Sequence, residues 1–220
     1  ELMSSNVQES YPSGFRFWYT AEMGAYNTRD FHVGFRQYCN RMQDYEFLTL
    51  KGGDGWNLAM GATWIMRTDG AGSWYDGADL STDINMEFLP SVTSREGANP
   101  INPIDKGIDH GGFGGNFGTS PFSGGCGWRT GGVSGFILIP PYGDIVARKS
   151  LHFFPDGYWA VGSGISSTCT PAPAAGHVRT TVLQWRPGSR DIQLQVSGDR
   201  TENVLTESRQ LNDVKWIWID

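Results

Sequence analysis

The sequence predicts an all-β protein, a large antiparallel β-sandwich, and three observations carry that expectation. The 220 residues include 30 Gly and 11 Pro, a density of turn formers that a helical chain does not use. They also include 9 Trp, 8 Tyr and 12 Phe, bulky side chains suited to a pleated, half-buried surface. Apolar residues recur with a period of two, and no long segment sustains a period of 3.6. The length suits one sizeable domain with a real core.

Residues 1–14 are polar and read as an irregular segment; residues 15–220 read as the sandwich. "FRFWYTAEMGAYNTRDFHVGFRQYCNRMQDYEFLTL", from Phe15 to Leu50, reads as three aromatic-rich strands. "AMGATWIMRTDGAGSWY" reads as a strand, a Gly-rich turn and a short strand. Residues 91–120, with "SREGANPINPIDKG" and "DHGGFGGNFGTSP", have loop composition, and a loop of that length in a compact domain is functional or mobile. Strands resume at "GGVSGFILI". In "DIVARKSLHFFPDGYWAVGSGISS" two strands meet at Pro155-Asp156-Gly157, where Pro presets φ and Gly tolerates a positive one. "HVRTTVLQWR", "DIQLQVSG" and "DVKWIWID" follow, the last with the alternation of a central strand. The start at Glu1 and the stop directly after that strand point to a piece of a longer polypeptide.

Charge and cysteine content narrow the function. The net charge is −6 with no basic block, so no nucleic-acid footprint is expected and any acidic ligand needs a local cationic pocket. No apolar run has the length of a membrane span, and no membrane partner is expected. There is no CxxC and no HExxH, and neither a metal nor a cofactor is expected. Cys39, Cys126 and Cys169 allow one internal disulfide at most; if one forms, Cys126–Cys169 is the expected pair.

Five landmarks then carry a resemblance. "NRMQDYEFLTLKGGDGWNLAMGATWIM" resembles a segment of polysaccharide lyase family 8 that reads Ser-Arg, Tyr-Glu, Gly-Trp-Tyr and Asp-Gly before a strand. "EFLPSVTS" is similar to that family's Leu-Pro-Gly-Thr-Thr turn, and "PFSGGCGWRTGGVSGFIL" to its Phe-x-Gly-Gly segment. "ARKSLHFFPDGYWAVGSGISS" resembles its Ala-x-Lys-Ser-Trp-Phe hairpin, and "VRTTVLQ" its following Thr-Thr strand. The family includes hyaluronate, chondroitin and xanthan lyases. The resemblance implies its central "super-sandwich" domain and a secreted, extracellular protein. It also implies catalytic Asn, His and Tyr on an α/α toroid that no part of this chain resembles. The chain departs from the pattern at Asn57, Met60, Ser91-Val92 and Leu151, which implies a distant branch with another substrate.

Cleavage of a uronate polymer by β-elimination needs a neutralised carboxylate, a base for the C5 proton and an acid for the leaving oxygen. Arg41 matches the family arginine that positions substrate, as the planar guanidinium fork suits a carboxylate. On this reading Arg41→Ala costs binding and leaves stability unchanged. Glu46 either orients Arg41 within that substrate-binding set or ends a strand at the surface. Tyr45 is a catalytic candidate or a packed ring; for both the structural role is preferred. Trp128 and Arg129 either stack on a sugar and bind its acid group, or are core aromatic and surface charge. Among His32, His110, His152 and His177, His110 is the catalytic candidate, weighed against a solvated loop histidine. Arg148, Lys149 and His152 are read as cations solvating one sheet face.

The sequence therefore points to the β-sandwich portion of an extracellular polysaccharide lyase that contributes substrate-binding residues for an acidic polysaccharide. Its other expected partners are the remaining chains or domains of the same enzyme. Two alternatives stay open: a non-catalytic carbohydrate-binding or structural module, and a self-sufficient lyase using Tyr45 and His110.

Overall fold

The computed structural model describes residues 12–44, 57–68, 84–95, 117–140, 145–167 and 177–184 in full, and 193–196, 199–202 and 217–219 as backbone. Tyr45, Glu46, His110 and Cys169 lie outside these ranges. The chain divides into two compact units, Glu1–Gln184 and Trp185–Asp220. The regular structure described is β-strand and one 3-10 turn, Met86–Phe88, so the all-β antiparallel expectation holds.

In the first unit β1 (Gly14–Trp18), β2 (Met23–Asn27), β3 (Phe31–Arg36) and β4 (Thr63–Arg67) form one antiparallel meander in that order. β5 (Thr93–Arg95) pairs with β10 (Val178–Thr180) as a short ribbon. A second meander runs β6 (Ser123–Trp128), β7 (Gly131–Leu138), β8 (Ile145–Phe154) and β9 (Gly157–Ser167). In the second unit β11 (Gln193–Val196) lies between β12 (Asp199–Glu202) and β13 (Ile217–Ile219). The terminal "WIWI" pattern reads as a central strand, yet among the described strands β13 is an edge, because pairing is not written in alternation alone.

Period two sorts the side chains as expected. Phe15, Tyr26, Val33 and Phe35 from the first meander meet Leu151 and Phe153 from the second. Further along the second sheet, Phe136, Leu138, Ile145 and Ala147 are covered by Tyr38, Met60, Leu89 and Val92. The departures Asn57, Met60 and Leu151 are all buried, which makes them packing residues. Ser91, where the resembled turn has Gly, takes a left-handed φ of +66°, and its hydroxyl pairs with that of Thr63 at 2.9 Å.

Two strands escape a propensity reading. β6, "SGGCGW", has three glycines in six residues, a composition that disfavours strands. Here those glycines are required by packing. A Cβ on Gly125 would sit 2.9 Å from the Phe15 and Phe17 rings, and one on Gly132 in β7 would sit 2.3 Å from Phe15 Cγ. The rings occupy the space that side chains would fill. β5 falls inside the 91–120 stretch read as loop; the partner strand β10 orders it through three residue pairs.

The hairpin at Pro155-Asp156-Gly157 forms as expected, but one of its cations does not solvate the sheet. Lys149 has the odd parity of Ile145, Ala147, Leu151 and Phe153 and shares their inward face. It is only 8% exposed. Its ammonium donates to Thr93 Oγ1 at 2.7 Å, and that hydroxyl pairs with Thr180 Oγ1 at 2.8 Å. The clip ties the β5–β10 ribbon to the second sheet. Arg148, one residue earlier, is exposed as expected.

Burial lowers the Lys149 pKa from 10.5 to about 8, because the charged form is poorly solvated there. The folded value lies below the unfolded one, so between these two pH values the unfolded chain holds the extra proton and this group's contribution to stability rises with pH. Below pH 8 both states are protonated and the cost is constant. Lys149→Met should therefore remove a pH-dependent contribution of about 3 kcal/mol across that window. Urea denaturation of both proteins at several pH values measures it; parallel stability curves would show that the ammonium is solvated after all.

Candidate functional site

The turn between β1 and β2 ends at Glu22, which has φ +48° and a side chain 0% exposed. A left-handed non-glycine residue carrying a buried charge persists only if its surroundings over-determine it. Gln37 N–H donates to the Glu22 carbonyl at 2.7 Å. Glu22 Oε1 accepts from Arg41 Nε at 3.0 Å, from Arg41 Nη2 at 2.5 Å and from the Cys39 thiol at 3.2 Å. Burial, more than anything else, pushes the Cys39 pKa up, so the sulfur keeps its proton and serves as donor. The bond to Glu22 raises the Arg41 pKa further above its ordinary value.

Arg41 continues outward. Nη1 donates to the Pro121 carbonyl and Nη2 to the Ser123 carbonyl, each at 3.1 Å. Ser123 Oγ also donates to Gln37 Oε1 at 2.9 Å. One guanidinium thus joins the β1–β2 turn to the start of β6. Sequence reading left Glu46 either orienting Arg41 or ending a strand, and Glu46 lies outside the described residues. The described carboxylate partner of Arg41 is Glu22, which no motif marks because the contact spans nineteen positions of chain.

The segment held in this way carries Phe122 into the wall of an open cleft of about 760 Å³. The cleft lies on the second sheet, on the face opposite the core. Register orders the outward side chains of this sheet in rows across the strands: Gly124, Gly135, Ser150 and Val161 form one row, flanked by Cys126, Val133, His152 and Trp159. Of the flanking row, Cys126 and Val133 line the cleft and His152 and Trp159 lie beyond it. Glycine in the middle row leaves a trough. Beyond the second row, Trp128 pairs with Gly131 at the end of the strands, and its indole lies where a Gly131 Cβ would reach 2.9 Å.

The expected site residues are dispersed over this frame. Arg41 braces the start of β6, while Trp128 and Arg129 stand at its far end, roughly 17 Å along an extended strand. Trp128 is 50% exposed and Arg129 is exposed in the β6–β7 turn. Of the histidines, His32 Nδ1 contacts Asn27 Oδ1 at 3.1 Å, and His152 Nε2 contacts Ser150 Oγ at 3.1 Å; His177 is exposed. Trp159, unmarked in sequence, is 67% exposed and packs on Phe154 with centroids 5.0 Å apart. The two described cysteines, Cys39 and Cys126, are free thiols; Cys169, the other half of the conditional pairing, lies outside the described residues. Among the described residues no cluster of three metal-ligating side chains occurs.

Comparison with known proteins follows the geometry. The family model for polysaccharide lyase family 8, super-sandwich domain, matches residues 13–220. No curated protein matches in sequence. Among solved structures, a Paenibacillus xanthan lyase is similar with TM-score 0.73 and 20% identity, over 96% of this chain and 18% of that one. A chondroitinase AC lyase has TM-score 0.65 and 20% identity, over 86% of this chain and 25% of that one. The Streptomyces coelicolor A3 chondroitin AC lyase has TM-score 0.57 and 21% identity, over 72% and 20%. At these identities the structures share the fold, and the chain spans a quarter or less of their length.

The geometry changes the expected cost of losing Arg41. Its removal leaves the Glu22 carboxylate buried without a cation, and breaking a buried pair on one side costs about 3 kcal/mol, here tempered because the Arg41 side chain is 48% exposed. Arg41→Ala should lower stability on that order in chemical denaturation. Glu22→Gln in the same chain should recover part of the loss, and a stability unchanged by Arg41→Ala would mean that the pair is solvated.

Proposed function

We infer the function from one premise: the chain belongs to polysaccharide lyase family 8, as a super-sandwich domain. A polysaccharide lyase module is the coarse function. The finer reading is an acidic, uronate-containing glycan cleaved outside the cell by β-elimination, with this domain supplying binding residues and an α/α toroid of the same enzyme supplying base and acid. The observation that carries it is the exposed Trp128 beside the exposed Arg129 at the β6–β7 turn. An indole presents a flat apolar face to a sugar ring, and a guanidinium pairs with its acid group.

Arg41 and Glu46 belong to the same proposal in different ways. With Nε, Nη1 and Nη2 all bonded to protein oxygens, Arg41 acts chiefly by positioning the Pro121–Ser123 segment, while its exposed side offers charge to a carboxylate. Glu46, which lies outside the described residues, enters the proposal only through its place in the Tyr-Glu motif. Substrate held without an adjacent base and acid keeps most of its barrier. The domain by itself therefore binds and does not turn over.

The 220-residue chain should bind xanthan or chondroitin sulphate in affinity electrophoresis and release no product absorbing as an unsaturated uronate. Trp128→Ala combined with Arg129→Gln should weaken binding by tenfold or more, about 1.4 kcal/mol. Saturable turnover abolished by Tyr45→Phe or His110→Ala would establish the self-sufficient lyase instead. Absence of any glycan binding would leave a structural module.

A further inference from the structure

We propose that the outward face of β6–β9, from the cleft at Arg148 to Trp159 beyond its edge, is an extended binding surface for a carboxylate-bearing glycan chain, with Arg148 as its anion-recognising residue and Trp159 as its stacking platform. The proposal rests on the acidic-glycan reading above and assigns it a surface and residues which that reading does not contain.

Charge complementarity selects the occupant. The protein carries −6 overall, yet the charged residues lining the cleft are Arg148 and Lys149, both cations, with no carboxylate among them. Arg148 is exposed on the cleft side of the sheet, and the Lys149 ammonium lies on the other side of the same strand, one peptide away. Neither has an ion pair among the described residues. A guanidinium offering its planar donors at the edge of an open, largely apolar cleft suits a carboxylate attached to a ring with apolar faces.

Register supplies the second half of the site. Arg148 and His152 are four residues apart on one face of β8, about 13 Å, and Trp159 is the cross-strand neighbour of His152. Between them lie Ser150 and the glycine trough, and the Ser150–His152 contact presents a polar pair along the floor. The distance exceeds one sugar ring, so an extended chain is the ligand that meets both ends. Trp159 is exposed yet held by Phe154, so stacking on it loses little side-chain freedom.

Cys126 makes the surface testable, because its free thiol lines the same cleft whereas Cys39 is buried. In the 220-residue chain, alkylation of Cys126 followed by peptide mass mapping should slow by at least fivefold in saturating xanthan or chondroitin sulphate, and not in dextran. Arg148→Gln and Trp159→Ala should each weaken binding of the acidic polymers by fivefold or more, with melting temperatures unchanged. If those variants bind as the wild type does while Trp128→Ala and Arg129→Gln do not, this surface is refuted and the acidic-glycan reading stands. If the wild type binds neither polymer, both fall. The same alkylation in the native full-length enzyme is the last arm: a Cys126 unreactive even without glycan would mean that another protein layer covers the cleft, and would overturn the proposal.

Discussion

Everything in the first unit hangs on how closely its two meanders approach around Phe15. Its ring lies 5.5 Å from that of Phe153 and 6.0 Å from that of Phe35, and Phe35 and Phe153 are 5.3 Å apart. Burying each such ring is worth about 2–3 kcal/mol, but only if the opposite sheet leaves room. Gly125, Gly127 and Gly132 leave it, since a Cβ on any of them would collide with Phe15. The glycines that weaken β6 as a strand are the ones that let the sandwich close. The same strand then presents Gly124 to the other face, where a missing side chain opens the trough.

The polar counterpart of that contact is the group around Glu22. A buried carboxylate is expensive unless paired and hydrogen-bonded. The thiol of Cys39 and the guanidinium of Arg41 meet that cost on one oxygen, while Oε2 has no hydrogen-bond partner among the described residues. Because Arg41 also binds two carbonyls before and within β6, the carboxylate's requirement becomes a constraint on where Phe122 stands. Core electrostatics and cleft shape are thereby coupled without any residue serving both.

Lys149 shows the reverse economy. A lysine on the inward face costs desolvation, and the structure offsets part of it with a threonine hydroxyl rather than a carboxylate. Among the described residues neither Lys149 nor Arg148 has an ion pair, so two adjacent β8 residues put positive charge on both sides of one sheet in a protein of net charge −6.

By itself the sequence determined the class of structure, the strands with strong alternation, the Pro-Asp-Gly hairpin and, through five ordered motifs, the family. These are local signals: period, turn chemistry and short-range spacing act within a few residues and survive without knowledge of the partner strand. Tertiary structure decided what depends on contacts between distant positions. β6 is a strand because Phe15 lies across it, β5 because β10 pairs with it, and Glu22 is Arg41's partner because a turn and a loop meet. Lys149 was legible in part, since its parity with Leu151 and Phe153 already placed it inward, but its charge suggested solvent. Trp159 lies inside the hairpin landmark but matches none of its pattern residues. Its exposure beside His152 is set by cross-strand register, and a register is a relation between two strands that neither strand's sequence contains alone.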